Sequence, residues 1–431
     1  MARRTIAVGQ AGGPTAVIND TLAGVIYEAR LRGLELIGLR NGFEGGGLNP
    51  NVEGNLIPLT DMSDTKIYEI ISKPGAHLKT TRLRLKSGKD DEKIQKIRET
   101  LDSRGIECVF YIGGNDSADV IKNVGKGIHI AKTVDNDLPR PHERTPGYLS
   151  ACLSNAKLIR AMHPDLSGFS PKIEHMGRNA YSSASVVVYQ TQGRNTGWLT
   201  LGCALAKMNL KGEIDPEAAP HLFLPRETPY DEKTLVDRVD DSLSKRGEVF
   251  IVCSEELVDA NDTPLSEIYG KTESVDSHGH TEHGRPGSFN YAEFIASVIK
   301  ERIRVDVNFD YLKIKETTST PNHISRVLEK SRVDAREAFA LGRKAVSEFC
   351  DNATNNTNFS VGLRKMGNGD IVLPGRIPLE VAAANVRQVE KEYLGTIDGP
   401  TPKFCREFGS LIANDLATKQ YDGQKLEEFY R

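Results

Sequence analysis

The chain reads as an α/β protein built on parallel-rich sheets that are covered by helices on both faces. Two observations carry this reading. Short apolar strands alternate with amphipathic helices through the first third of the sequence, which is the pattern of a doubly covered parallel sheet. Glycine-rich turns also follow strands at residues 9–14, 113–117 and 193–197, and ligands of such sheets bind beyond the carboxyl ends of the strands.

The elements follow in order. Residues 5–8 form a short strand and Gly12-Gly13-Pro14 a turn. Residues 15–32 have helical spacing, with Val17, Leu22, Val25 and Ile26 apolar. Residues 34–39 give the next strand, 92–104 a charged helix, 108–112 a buried strand and 127–130 another strand-like run. Arg144-Thr145-Pro146-Gly147 opens a helix. Strands resume at 185–190 and 248–253, with an apolar helix at 198–206 between them. Residues 259–289 form a polar excursion, and 332–349 an amphipathic helix bearing Ala335, Phe339, Leu341, Ala345, Val346 and Phe349. The expected division is an α/β domain at 1–140, a second at 141–320, and a helical segment at 321–431 that packs back on both.

Composition narrows the function. The 431 residues carry a net charge of -3, which supplies no basic excess for phosphate contacts along a nucleic acid. The apolar fraction of 38% and charged fraction of 27% are those of a soluble globular protein, and no apolar run reaches membrane-spanning length. The start is basic but lacks the apolar stretch of a signal peptide. Cys108, Cys152, Cys203, Cys253, Cys350 and Cys405 show no paired spacing and read as reduced cytoplasmic thiols.

The run Ala131-Lys132-Thr133-Val134-Asp135-Asn136-Asp137 is the chemical centre of the sequence. Two carboxylates at i and i+2 can face one reaction centre where a backbone leaves a strand. One can take a proton from an attacking hydroxyl and the other can hold a metal ion. That pairing suits phosphoryl transfer, in which a protein mainly positions groups and neutralises charge. The glycine turns add backbone amides and helix N-termini, both favourable to anions.

These motifs resemble the phosphofructokinase superfamily, in particular its pyrophosphate-dependent branch. Residues 11–19 look like that branch's Gly-Gly-Pro-Thr-Ala-Val-Ile-Asn opening, and Gly113-Gly114-Asn115-Asp116-Ser117 like its Gly-Gly-Asp-Asp-Ser loop. Residues 132–137 look like Lys-Thr-Ile-Asp-Asn-Asp, Thr145-Pro146-Gly147-Tyr148 like Thr-Pro-Gly-Phe, and residues 186–199 like the strand leading into Met-Gly-Arg-His-Ala-Gly-Trp. The resemblance implies two Rossmann-like three-layer domains with the active site in the cleft between them. It implies that Gly12, Gly13, Arg82, Gly113, Gly114, Asp116 and Lys132 hold the donor phosphates. Asp135 would be the general base, and Arg194 and Lys132 would stabilise the transferring group. Thr133, Asp135, Asp137, Gln192, Gly193, Arg194 and Glu255 would line the acceptor side, and Asp137 with Asn115 would hold Mg²⁺. An acid at the Asp116 position and a lysine at the Lys132 position imply pyrophosphate rather than ATP. An anionic side chain repels a nucleotide's phosphates, whereas a small donor avoids it. The family also implies a homodimer or homotetramer.

A second Met-Gly-Arg, at Met176-Gly177-Arg178, follows a poor strand and lacks the Gly-Trp. The later copy at Gly193-Arg194 is therefore assigned to the site.

The departures from the family pattern fall mainly on the acceptor side. Ser185, Asn308, Ile314 and Thr317 stand at positions where the family clamps the phosphate of fructose 6-phosphate with cations. Lys313 and Lys315 are the nearby cations that a shifted register would bring in. Gln192 replaces a methionine and Gln190 a glutamate. On the donor side, Asn115 replaces an aspartate and Lys79 a glycine. His278, His280 and His283 read as a solvated loop. The expectation is transfer from pyrophosphate to a small polyhydroxylated acceptor other than fructose 6-phosphate. The alternatives are an ordinary pyrophosphate- or ATP-dependent 6-phosphofructokinase and a non-catalytic phosphate sensor.

Overall fold

A computed structural model describes residues 3–167, 185–209, 213–270, 289–303, 324–351, 357–366, 371–383 and 386–416. The first half runs β1 (Thr5–Gln10), α1 (Ile18–Leu31), β2 (Glu35–Leu39), β3 (Leu56–Pro58), α2 (Asp64–Ile71), α3 (Asp91–Ser103), β4 (Ile106–Gly113), α4 (Asn115–Val124) and β5 (Gly127–Ala131). It continues through α5 (Tyr148–Ser167), β6 (Ser185–Gln190), α6 (Trp198–Gly202), β7 (Leu222–Leu224), α7 (Glu232–Arg246), β8 (Glu248–Cys253), α8 (Leu265–Tyr269) and α9 (Tyr291–Ile303). The last part holds α10 (Arg332–Asp351), β9 (Phe359–Lys365), β10 (Val372–Pro378), α11 (Leu379–Ala382) and α12 (Pro402–Leu416).

The strands form a seven-stranded sheet of order β10-β9-β5-β4-β1-β2-β3 and a three-stranded sheet of order β6-β8-β7. The central pairs of the large sheet and both pairs of the small one are parallel, while β2–β3 and β9–β10 are antiparallel edges. Successive residues of a strand point to opposite faces, and the packing follows. Ile6 and Val8 join α1 and α10 on one side of the large sheet, while Ala7 joins α3 and α4 on the other. In the small sheet Val187, Tyr189, Phe250 and Val252 pack on α5 and α12. Val186, Val188, Val249 and Ile251 pack on α7 and α9. Both sheets are therefore the middle layers of three, as the sequence pattern implies.

The segment after residue 320 corrects the expectation that it is helical. It supplies β9 and β10, and β9 pairs in parallel with β5 through Ile128–Phe359 and Ile130–Val361. The physical reason is an alternation in which Phe359, Val361 and Leu363 enter the core beside α1 and α10. Helix α10 can lie against α1 because two glycines remove the side chains at the crossing. A Cβ on Gly24 would sit 2.1 Å from the Phe339 carbonyl oxygen, and one on Gly342 2.1 Å from that of Thr21. The carboxyl ends of β1, β4 and β5 lie opposite those of β6 and β8, since Asp135 beyond β5 interacts with Arg194 beyond β6 and Glu255 beyond β8.

Candidate active site

On the large-sheet side of the site three loops are tied to one another. The Ala11 N–H donates to the Ile112 carbonyl (2.9 Å) and the Gly12 N–H to that of Thr81 (2.9 Å). The Lys132 N–H donates to the Gly113 carbonyl (2.9 Å). Gly12 has φ +74°, a left-handed conformation that only glycine adopts without strain. The turn it makes aims the Gly13 carbonyl at Lys132, whose Nζ donates to it at 2.8 Å. Lys132 is almost fully buried. Burial, with the nearby Arg326 guanidinium adding to it, lowers its pKa to about 8. Asp116 is the second residue of α4 and pairs with Arg84 at 3.0 Å on the partly exposed rim of this side. Lys79, where the family has glycine, takes φ +61°, so the backbone keeps the glycine-type conformation.

The carboxylates stand on the turn that leaves β5. Asn136 is fully buried with φ +55°. Its Oδ1 accepts from the Thr145 N–H at 3.0 Å, and the Thr145 hydroxyl donates to the Thr133 carbonyl at 2.9 Å. The Asp135 N–H donates to Thr133 Oγ1 at 3.1 Å. Asn136 is thus the internal pin, and the residues on either side of it face outward into the site. Asp135 Oδ1 and Asp137 Oδ1 are buried and have no hydrogen-bond partner among the described residues. Groups of this kind are normally satisfied in a finished core, so these two are shaped for something that arrives. Burial raises the pKa of Asp135, opposed by the Arg326, Arg194 and Lys132 cations. Burial and then the Asp135 charge push Asp137 up to about 7.

The opposite side of the site comes from the small sheet. Residues 191–197 connect β6 to α6 and carry Gln192, Gly193 and Arg194. Arg194 Nε lies 3.9 Å from Glu255 Oε1, just beyond β8. Burial, then the Asp135 charge, raises Glu255 to about 7. Ser254 is structural: it is fully buried, hydrogen-bonded to Thr200 Oγ1 (2.8 Å) and accepting from the Arg226 N–H (3.1 Å). Gln190 is structural too, because its Oε1 receives the Ala292 N–H at 3.1 Å at the start of α9.

One residue that sequence reasoning missed is central. Arg326 enters from the segment before α10, and its Nε donates to Gln192 Oε1 at 2.6 Å. A Cβ on Gly13 would meet its Nη1 at 2.8 Å. Burial lowers its pKa, while Asp135 and then Glu255 are the acids that hold its charge. Arg326 lies beyond the basic run at Lys313 and Lys315, and no glycine turn flanks it. Its signal was the odd Gln192, a buried amide in need of a partner. Asn308, Lys313, Ile314, Lys315, Thr317, Arg178, His278, His280 and His283 lie outside the described residues, as does the side chain of Ser185.

The structure therefore gathers Gly12, Gly13, Lys132, Asp135 and Asp137 opposite Gln192, Arg194 and Glu255, with Arg326 between them. Arg82 lies within electrostatic reach of Arg326. Among the described residues no helix is long and apolar enough to cross a membrane.

Paired α/β layers with cations, carboxylates and glycine turns converging at strand ends define a phosphate-handling enzyme. Comparison with known proteins makes this specific. The phosphofructokinase family pattern matches residues 5–348. A pyrophosphate–fructose 6-phosphate 1-phosphotransferase of Xanthomonas campestris is 30% identical over 360 residues, covering 80% of this chain and 77% of that protein. A sulfofructose kinase of Alkalicoccus urumqiensis is 25% identical over 390 residues, covering 88% of each. The crystal structure of a pyrophosphate-dependent phosphofructokinase from Nitrosospira multiformis shares the fold, with a TM-score of 0.74 and 23% identity across 99% of this chain and 95% of that chain. The chain belongs to the phosphofructokinase family and is a phosphotransferase.

Proposed function

We propose that this enzyme moves a phosphoryl group from pyrophosphate to a hydroxyl of a small sugar or polyol other than fructose 6-phosphate. The observation that carries the reading is Asp135 Oδ1, which is buried, has no hydrogen-bond partner among the described residues and lies within electrostatic reach of Lys132, Arg194 and Arg326. A carboxylate oxygen in that setting is placed to take one proton from a hydroxyl, and the cations around it suit phosphate oxygens. In the step, the acceptor oxygen forms a bond to the terminal phosphorus as its proton passes to Asp135. The bridging P–O bond breaks, and its electron pair leaves with inorganic phosphate. Gly12, Gly13, Gly113, Gly114, Arg82 and Lys132 would hold the donor on the first sheet. Gln192, Arg194 and Glu255 would hold the acceptor on the second.

A divalent cation fits the residues present. The buried, unpartnered Asp137 Oδ1 is a hard oxygen ligand of the kind Mg²⁺ takes. Asp137, with Asn115 at the head of α4, would hold it. The ion would supply charge neutralisation to the donor phosphates. The enzyme would work in the cytoplasm as a homo-oligomer.

Pyrophosphate as donor is supported by Asp116 and Lys132 at the positions where the family's pyrophosphate users carry an acid and a lysine. Fructose 6-phosphate is the second reading, favoured by the name of the Xanthomonas relative. The sulfofructose kinase relative supports a wider range of acceptors within the family. The deciding experiment offers pyrophosphate or ATP, with Mg²⁺, against a panel of sugars, sugar phosphates, sugar sulfonates and polyols. Turnover with pyrophosphate and a non-phosphorylated or sulfonated acceptor is expected. A kcat/KM for fructose 6-phosphate above about 10⁴ M⁻¹s⁻¹ overturns the acceptor assignment, and preference for ATP overturns the donor.

The buried lysine gives a pH signature. Below about pH 8 Lys132 is charged and attracts the donor. Above it the proton leaves and the attraction is lost. The kcat/KM for pyrophosphate is expected to fall by about tenfold per pH unit on that alkaline side. Lys132→Arg, which stays charged, should move the decline to higher pH while leaving the donor's own ionisation unchanged. Identical alkaline limbs in the two proteins would assign the decline to the donor instead.

A further inference from the structure

Residues 387–389 run between the two halves of the site and are anchored to each. On the large-sheet side the Arg387 N–H donates to the Asp137 carbonyl at 2.8 Å, so it grips one of the two site carboxylate residues by its backbone. The Arg387 guanidinium holds the chain a little further on, where Nη1 donates to the carbonyls of His142 (2.9 Å) and Glu143 (3.0 Å). Its Nε and Nη2 donate to Glu390, and the group lies over the Trp198 ring, 4.6 Å from its centre. On the small-sheet side the Val389 N–H donates to Glu227 Oε1 at 2.8 Å. The same carboxylate accepts from the Gly197 N–H (2.9 Å, at Oε2) and from the Thr196 hydroxyl (3.0 Å, at Oε1). These two residues end the loop that carries Gln192 and Arg194. The fit depends on a glycine, since a Cβ on Gly197 would sit 2.5 Å from Glu227 Oε2. The family pattern ends at residue 348, so the strap lies beyond the matched part of the chain.

We propose that Glu227 and Arg387 are positioning residues: through the strap 387–389 they hold the carboxylate turn of one sheet and the arginine loop of the other at one fixed separation. This rests on the phosphoryl-transfer reading above. The backbone between the Arg387 and Val389 nitrogens spans at most about 7 Å, so it sets an upper limit on how far its two anchors can part. Both anchors are charge-assisted, a guanidinium on two carbonyls and a carboxylate on three donors, and such bonds are stronger than neutral ones. Asn136 and Thr145 fix the carboxylate turn within its own half, but they do not reach the arginine loop. The strap does. Transfer needs the acceptor oxygen and the phosphorus in line, and a misplacement of about 1 Å costs on the order of a hundredfold in rate.

The test pairs a turnover measurement with one that needs no acceptor. With pyrophosphate, Mg²⁺ and an acceptor found by the panel, Glu227→Ala should lower kcat by about tenfold to a hundredfold. Its calorimetric affinity for pyrophosphate should stay within about twofold of wild type, at unchanged stoichiometry. The proposed donor groups lie on the large sheet, whereas Glu227 holds the loop of the small one. Glu227→Gln keeps Oε1 as an acceptor and should recover most of the rate, and it guards against loss of folding in the alanine variant. Arg387→Lys keeps the charge but loses the fork across two carbonyls, and it should show the same split to a smaller degree. Amide hydrogen exchange is the second measurement. The amides of residues 133–147 do not bond to Glu227, yet in Glu227→Ala they should exchange severalfold faster, because the far end of the strap is released. Unchanged exchange there, an unchanged kcat, or a fall in kcat matched by an equal fall in binding stoichiometry overturns the inference. A wild type that turns over no acceptor of the panel overturns the proposed function instead, and exchange then decides the strap alone.

Discussion

Replacing Asp135 by asparagine is expected to lower kcat by about a hundredfold or more, the usual contribution of a positioned general base. The substitution keeps the shape of the side chain and the backbone N–H bond to Thr133 Oγ1. What it removes is the carboxylate oxygen that would take the acceptor's proton. Donor affinity should stay the same or tighten, because Lys132, Arg194 and Arg326 lose the anion that offsets their charge. The split is therefore a large fall in kcat with little change in the donor KM, read by steady-state kinetics on any acceptor the panel identifies. A variant with near-normal turnover would take the base role from Asp135. A variant whose donor KM rises in step with the fall in kcat would recast the carboxylate as a binding group.

The largest expected change in stability is at Trp198. The residue opens α6 and is fully buried. Its ring lies within 5.6–6.3 Å of Tyr148, Tyr393, Phe404 and Phe408, measured between centroids. The Arg387 guanidinium caps it at 4.6 Å. Removing such a ring leaves a cavity that its rigid neighbours cannot fill, and Trp198→Ala should destabilise the protein by about 3–5 kcal/mol. Because Trp198 is the one tryptophan of the chain, unfolding must be followed by circular dichroism rather than by its fluorescence. The loss should be felt at the site as well, since α6 is entered directly from the loop that carries Arg194. A loss below about 1 kcal/mol would mean that α12 closes over the gap.

How much of this was legible in the sequence depended on whether the signal was local. β1, β4, β5, β6 and β8 could be read because short apolar runs are bounded by glycine turns, and the site loops follow from where those strands end. The two carboxylates were legible for the same reason, lying side by side at the end of β5. Asn136 was not seen as the pin, because its role depends on Thr145, which reaches it only after the chain has turned back. Arg326 was invisible for a stronger version of the same reason. Its partners are Gln192, Gly13 and Asp135, all distant in sequence, and nothing around it is periodic. β9 and β10 are hard to read because their alternation, Phe359, Val361 and Leu363 against Ser360 and Gly362, is short and follows a long amphipathic helix.

The place of β9 beside β5 governs how the chain comes off the ribosome. The large sheet cannot close when its central strands emerge, since the strand that covers the β5 edge is made more than two hundred residues later. Through that interval the row of amides and carbonyls along β5 stands open, the kind of edge that recruits strands from other chains. The second sheet and its helices are synthesised meanwhile, and they stand between the open edge and its eventual cover. Folding of the first domain is thus completed last, by a segment encoded after the second. A fragment ending after α9 would lack β9, and with it any means of covering the β5 edge from within its own chain.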